Sequence, residues 1–165
     1  MAAQPEFPMD CDRFHSLYPT FTSFPIPKEV WDTPEGDAWQ EHRLNCHVCA
    51  EWYLEQEVAR RNVELTDYPC VHMAYYTSWK CEEHPDPREC TKSAVLRNDK
   101  FDEYFISPRG STGDDVIITH CPWCGVKLPP SQRDRWFHEL ESMGIDPWNE
   151  EVPERYRTDA WYKAR

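Results

Sequence analysis

At 165 residues the chain is long enough for one domain or two small ones. Its 18 basic and 30 acidic side chains leave a formal charge of −12, a field that repels nucleic acid and anionic membranes and attracts basic partners. No stretch approaches the ~18 apolar residues of a membrane span. The start, Met1-Ala-Ala-Gln-Pro-Glu-Phe-Pro, lacks the basic and apolar regions of a signal peptide, so the expected compartment is a reducing cytoplasm.

Residues 1–34 carry Pro5, Pro8, Pro19, Pro25, Pro27 and Pro34 between Phe14, Tyr18, Phe21, Phe24 and Trp31. Prolines at that density predict an extended arm whose aromatics pack onto the rest. From Glu35 to Asn62 nothing breaks a helix, and Ala, Glu, Gln, Leu and Arg favour one. Asp67-Tyr-Pro69 marks a boundary, which divides the chain into residues 1–66 and 67–165. Val71–Trp79 reads as a strand or short helix and leads into a Cys/His/Pro-rich loop at 80–90. Ala94–Leu96, Tyr104–Ile106 and Asp115–Thr119 read as short strands, with a turn at 108–113 before the last.

A further helix is predicted from Ser131 to Met143, with Ser131 as N-cap and Gly144 as stop. Its apolar face is Trp136, Phe137, Leu140 and Met143. The tail from Pro153 has room for a short closing helix. The fold expectation is therefore α+β: a small zinc-ribbon-like antiparallel sheet with flanking helices, preceded by a Pro-rich arm and a metal-binding helix.

Structural disulfides are rare in a reducing compartment, so the 8 cysteines point to metal or redox chemistry. Cys121-Pro-Trp-Cys124-Gly125 is the clearest motif. Two thiolates three positions apart reach one tetrahedral zinc when the loop doubles back, and Gly125 supplies the positive φ of that turn. A thioredoxin-like pair would need its helix to continue past the second Cys, which Gly125, Pro129 and Pro130 prevent. A zinc deaminase would need an H-x-E that the chain lacks.

A knuckle supplies two ligands, and the upstream pool is Cys70, His72, Cys81, His84 and Cys90. Cys81-x2-His84-x5-Cys90 is dense enough to converge on one ion, while Cys70-x-His72 is placed to face the knuckle. Whether this pool makes one site or two stays open, with Cys70, Cys81 and Cys90 preferred and His72 ranked last. The second constellation is His42-x3-Cys46-x2-Cys49, one stripe of the expected helix. Cys11 or His15 from the arm would complete it, and His47 falls on the adjacent, solvent-facing side. Two zinc ions per chain are expected, each contributing on the order of 10 kcal/mol to folding.

The segment from Cys70 onward resembles a family of short uncharacterised bacterial and phage proteins. The matching residues are Cys70-Val-His-Met73, Cys81, His84, Cys90 and Phe101-Asp-Glu-Tyr104, then Cys121-Pro-Trp-Cys-Gly-Val-Lys-Leu-Pro129 and Arg133-Asp-Arg-Trp-Phe-His-Glu-Leu140. That resemblance implies a zinc-ribbon-like domain in settings where small inhibitors, immunity proteins and phage accessory proteins are common. His42, Cys46 and Cys49, with an earlier Cys11 or His15, resemble the zinc motif of bacterial anti-sigma factors, although the Pro-rich arm departs from the helix expected there.

The sequence contains no H-E-x-x-H, nucleophile elbow or phosphate loop. The expectation is a non-enzymatic zinc protein that acts by protein–protein contact on a partner with a basic surface, as an inhibitor would. Trp31, Trp148, Trp161 and Tyr162 are the first candidates for contact anchors. A zinc- or redox-dependent transcriptional regulator is the alternative.

Overall fold

The structure is a computed structural model that describes residues 9–107 and 115–163. The chain divides into two compact units, Met1–Arg61 and Asn62–Arg165.

The described part of the first unit is helical. α1 (Cys11–Thr22) and α2 (Lys28–Trp31) occupy the segment expected to be an extended arm. Asp10 caps α1, its carboxylate accepting the Arg13 N–H at 2.7 Å. Phe14 and Phe21 are buried from this helix and stack on Trp39 with ring centroids 4.8 and 5.3 Å away. Pro19 inside α1 costs a helix about 3 kcal/mol, and burying two Phe side chains recovers roughly 3–6 kcal/mol. The aromatic packing wins.

α3 (Pro34–Asn45) opens on Thr33, whose hydroxyl accepts the Gly36 N–H at 3.0 Å, with Pro34 in the first helical position. A Cβ at Gly36 would collide with the Trp31 carbonyl, so glycine lets α2 and α3 approach. The single helix expected over Glu35–Asn62 is two helices, because Cys46 stands between α3 and α4 (His47–Arg60). The Cys46 N–H closes α3 on the His42 carbonyl at 2.8 Å, and its carbonyl opens α4 by accepting the Ala50 N–H at 2.9 Å. A continuous helix would hold positions i and i+7 about 10.5 Å apart along its axis, too far for two ligands of one ion. The break removes that separation.

The second unit is α+β. After α5 (Val71–Thr77), strands β1 (Leu96–Asn98), β2 (Glu103–Ile106) and β3 (Val116–Ile117) form an antiparallel sheet in the order β1-β2-β3. Leu96 pairs with Phe105, and Phe105 with Ile117. The turn expected at 108–113 lies outside the described residues.

α6 (Arg133–Ser142) ends as expected at Gly144, which has φ +73°. The Ile145 N–H reaches the Leu140 carbonyl at 3.0 Å and the Gly144 N–H reaches Glu141 at 2.9 Å, a Schellman ending. Its start is Gln132 rather than Ser131. The Ser131 hydroxyl accepts the Arg133 N–H and donates to Glu103 at 2.7 Å. α7 (Ala160–Lys163) closes the tail.

Met73, Val95, Tyr104, Cys121 and Leu128 form one core of this unit; Phe101, Trp136, Leu140, Tyr156 and Trp161 form another. Trp161 is thereby removed from the contact anchors, since its indole is buried and donates to the Lys100 carbonyl at 2.8 Å. Met143, expected on the apolar face of α6, is exposed because it caps the helix beyond the last buried turn. No helix among the described residues is long and apolar enough to cross a membrane.

Candidate metal centres

A zinc ion with sulfur ligands at ≈ 2.3 Å and imidazole nitrogens at ≈ 2.0–2.1 Å holds neighbouring donors roughly 3.4–3.8 Å apart in a tetrahedron. Among the described residues, three groups bring Cys and His donor atoms within 4.8 Å of one another. They are Cys11/His42/Cys46/Cys49, Cys70/His72/Cys121/Cys124 and Cys81/His84/Cys90. About two ions were expected; three candidate groups are present among the described residues.

In the first group, Cys11 Sγ lies 3.9 Å from Cys46 Sγ, and His42 Nε2 lies 3.2 Å from Cys49 Sγ. Cys11 sits at the start of α1, Cys46 at the α3/α4 break, and Cys49 in the first turn of α4. Helix ends place these thiols. Of the two arm candidates, Cys11 joins the group, while His15 Nε2 approaches only Cys49 Sγ, at 3.7 Å. The His15 ring stacks on Trp52 at 3.9 Å, which holds it beside the cluster.

The thiols have opposed proton affinities. The Cys49 N–H, followed by weaker contacts, holds the half-buried Cys46 thiol below the usual range. Burial, then the neighbouring Cys11 and Cys46 thiols, pushes Cys49 up to about 12. Three sulfurs this close cannot all ionise unless a cation shares the site, and a divalent metal would supply that charge.

The second group is built on a small hairpin. The Gly125 N–H meets the Cys121 carbonyl at 2.9 Å, the Cys121 N–H meets Val126 at 2.8 Å, and His120 bridges Lys127. Gly125 has φ +71°, the left-handed conformation expected of it, with open space around its missing Cβ. Opposite stands the start of α5, where Cys70 is the N-cap and His72 lies in the first turn. Burial, and then the Cys124 and Cys121 thiols, pushes Cys70 up to about 12 against the opposing Met73 N–H. Trp123 stacks on Tyr76 at 3.9 Å and lies parallel to the His72 ring at 6.1 Å, so it packs beside one donor.

The third group occupies the loop of residues 78–95 between α5 and β1. Cys81 Sγ is 3.3 Å from His84 Nδ1, and Cys90 is buried. The Glu83 N–H leads the contacts that hold the Cys81 thiol low. Short turns tie the loop, with the Cys90 N–H on Pro87 at 3.3 Å and the Ser93 N–H on Cys90 at 3.1 Å.

Residues 67–164, which carry the second and third groups, match the model of a domain of unknown function, DUF6980. The chain belongs to this family. No curated protein and no solved structure matches it. The family domain thus begins just inside the second compact unit, and the first metal group lies outside the matched residues.

Apart from His15, the candidate ligands all fall in the three groups: Cys11, His42, Cys46 and Cys49; Cys70, Cys121 and Cys124; Cys81, His84 and Cys90. The pool left open between one site and two falls into two sets: Cys81 and Cys90, preferred within it, group with His84 apart from the knuckle. The knuckle set includes His72, which had been ranked last because a single His two residues after a Cys looks like any surface or core histidine. Its signal was that Cys70 precedes a helix, so that an N-cap and a first-turn residue share one end. His47 is exposed, 3.8 Å from Glu51, and outside the groups.

Proposed function

We propose that this is a non-enzymatic, zinc-stapled binding protein that acts by occluding a partner protein with a basic surface. The observation that carries the metal part is the pair of four-donor Cys3His sets, a composition that suits closed structural zinc better than catalysis. Zinc fits because thiolate and imidazole donors at tetrahedral spacing select it over calcium or magnesium. Support for the interaction part comes from the charge of −12 and from large side chains left in solvent, Phe24 at 90% and Trp148 at 81% exposure. An inhibitor, immunity or phage accessory role, in a reducing cytoplasm, fits such a module. Trp148 and the half-buried Trp31 and Tyr162 are its anchors.

The test has two readouts. Metal analysis of protein purified without chelator or oxidant should find zinc at two or more ions per chain. Less than about half an ion would end the zinc reading. Capture of partners, identified by mass spectrometry, should then yield a basic protein whose association slows as salt rises. A tight partner indifferent to salt would reduce the acidic field to a solubility device.

A second reading, a redox-dependent regulator of the anti-sigma type, draws on one feature. Cys11 is exposed, and its sulfur lies 3.9 Å from that of Cys46, within easy reach of an oxidant. Mild oxidation that releases zinc together with a bound sigma factor would favour it.

A further inference from the structure

We propose that the Cys81/His84/Cys90 group holds its metal ion through three protein donors and offers the fourth position to a small organic anion seated in the adjoining pocket. The inference rests on the zinc reading above and goes beyond it by assigning a ligand site.

Three observations converge. The first is the donor count. The other two groups have four donors each and are closed, whereas this one has three among the described residues. Glu82, Glu83, Asp86 and Glu89 are interleaved in the same loop, and none of their carboxylates joins the group. Three protein ligands with one position left for a small molecule is the arrangement by which zinc takes exogenous ligands.

The second is the space beside it. Cys81 and His84 line a pocket of about 390 Å³, together with Tyr76, Trp79, Lys80, Pro85, Pro87 and Leu96. Cys90, the buried donor, is not part of its wall. The metal is thus approached from the side of its two half-buried ligands, through a pocket of the size that holds a short organic molecule.

The third is the chemistry of the wall. Two thiolates and a neutral imidazole cancel the charge of a divalent ion, so the metal alone does not draw an anion. Lys80 supplies the missing charge, since it forms no ion pair among the described residues. Arg97 also reaches the pocket, but its guanidinium is committed to Asp99 at 3.2 Å and Asp102 at 3.0 Å. Tyr76, Trp79 and the two prolines offer apolar faces to the body of the ligand. A thiolate suits borderline-soft zinc best, and a carboxylate is the next candidate. On binding, a thiol gives its proton to solvent and forms one sulfur–metal bond; any water in that position leaves.

The full chain loaded with cobalt(II) provides the test, titrated with mercaptoacetate in one arm and acetate in the other. Three cobalt ions per chain are expected. Mercaptoacetate should add a sulfur-to-cobalt absorption band that saturates at one equivalent and is missing in Cys81→Ser. If acetate alone perturbs the visible bands, the donor is a carboxylate and the open position stands. Lys80→Glu should weaken binding several-fold with the metal count unchanged, which a purely structural site would not show. Three bound cobalt ions with spectra indifferent to both ligands would overturn the inference and leave the zinc reading intact. So would a fall in absorbance as ligand is added, since it means that the metal is being stripped. Two cobalt ions with the third group metal-free would overturn it as well, whereas cobalt absent from all three groups would overturn the zinc reading itself.

Discussion

In the first unit a candidate metal donor, Cys49, is itself a core residue, whereas in the second unit part of the core has no donor in it. Cys49 is fully buried among Phe14, Phe21 and Trp39, with Cys46 packed against them. The cluster of Phe101, Trp136, Leu140, Tyr156 and Trp161 contains no Cys or His, and its polar tips are satisfied by the chain: Trp136 Nε1 donates to the Tyr156 carbonyl at 2.9 Å. On the proposed zinc reading, dependence on metal is therefore uneven along the chain. Where thiols fill the core, losing the ion leaves buried groups that compete for protons; where aromatics fill it, burial is enough.

Chelation under reducing conditions breaks this comparison most forcefully. Hydrogen exchange should show α1, α3 and α4 losing protection while α6 keeps much of its own, because a structural zinc is worth on the order of 10 kcal/mol to the fold around it. Equal loss in both units would mean that the aromatic cluster cannot stand without the knuckle. At the level of single ligands, Cys11→Ser should release one ion per chain by metal analysis. His15→Ala should retain it and only weaken it, since the imidazole touches one sulfur from outside the donor set.

Part of this contrast is legible in the sequence. The knuckle, the Gly144 stop and the three short strands follow from local chemistry, and the structure has them at or within a few residues of the expected positions. What was illegible depends on distant partners. α1 looked forbidden because Pro19 is visible locally, whereas its compensation, stacking on Trp39, comes from another helix. Cys46 carries no breaker signal, and the interruption there follows from the need to bring His42 and Cys49 to one point. The grouping of Cys81 and Cys90 apart from Cys121 depends on how a long loop folds back, which spacing alone does not contain.

Two glycines sharpen the comparison at intermediate effect. Gly36→Ala should destabilise the first unit by about 1–3 kcal/mol, because the new methyl meets a backbone carbonyl that cannot swing away. Gly125→Ala meets nothing and carries only left-handed strain, about 1 kcal/mol, seen as faster zinc release from the knuckle. Thermal melts of the two variants, with zinc-release kinetics, rank them.

The buried Glu103 gives the second unit a separate, acid-sensitive element. Burial raises its pKa, but hydrogen bonds from Arg133 at 2.8 and 2.6 Å and from Ser131 outweigh that, and the net value lies below the usual carboxylate range. A depressed folded value means that this contribution is fully present above the unfolded pKa and disappears as pH falls through the folded one. Glu103→Gln should cost about 2 kcal/mol at neutral pH and flatten the stability profile on the acid side. A melt whose acid slope is unchanged would assign that slope to other carboxylates.

The spacing of the ligands along the chain also sets an order of events during synthesis. All donors of the first group lie between Cys11 and Cys49, whereas those of the knuckle group run from Cys70 to Cys124. A nascent chain therefore presents a complete first set long before the second set can close. Its Cys70 and His72 must wait, with the thiol uncommitted, while the loop bearing Cys81, His84 and Cys90 emerges behind them. During that interval the two sets in the second unit share a pool of early sulfurs and imidazoles. A metal captured too soon by Cys70 with Cys81 would have to be surrendered before the hairpin could claim it. Slow exchange from such a premature complex, rather than the packing of the sheet, would then govern how fast the second unit matures.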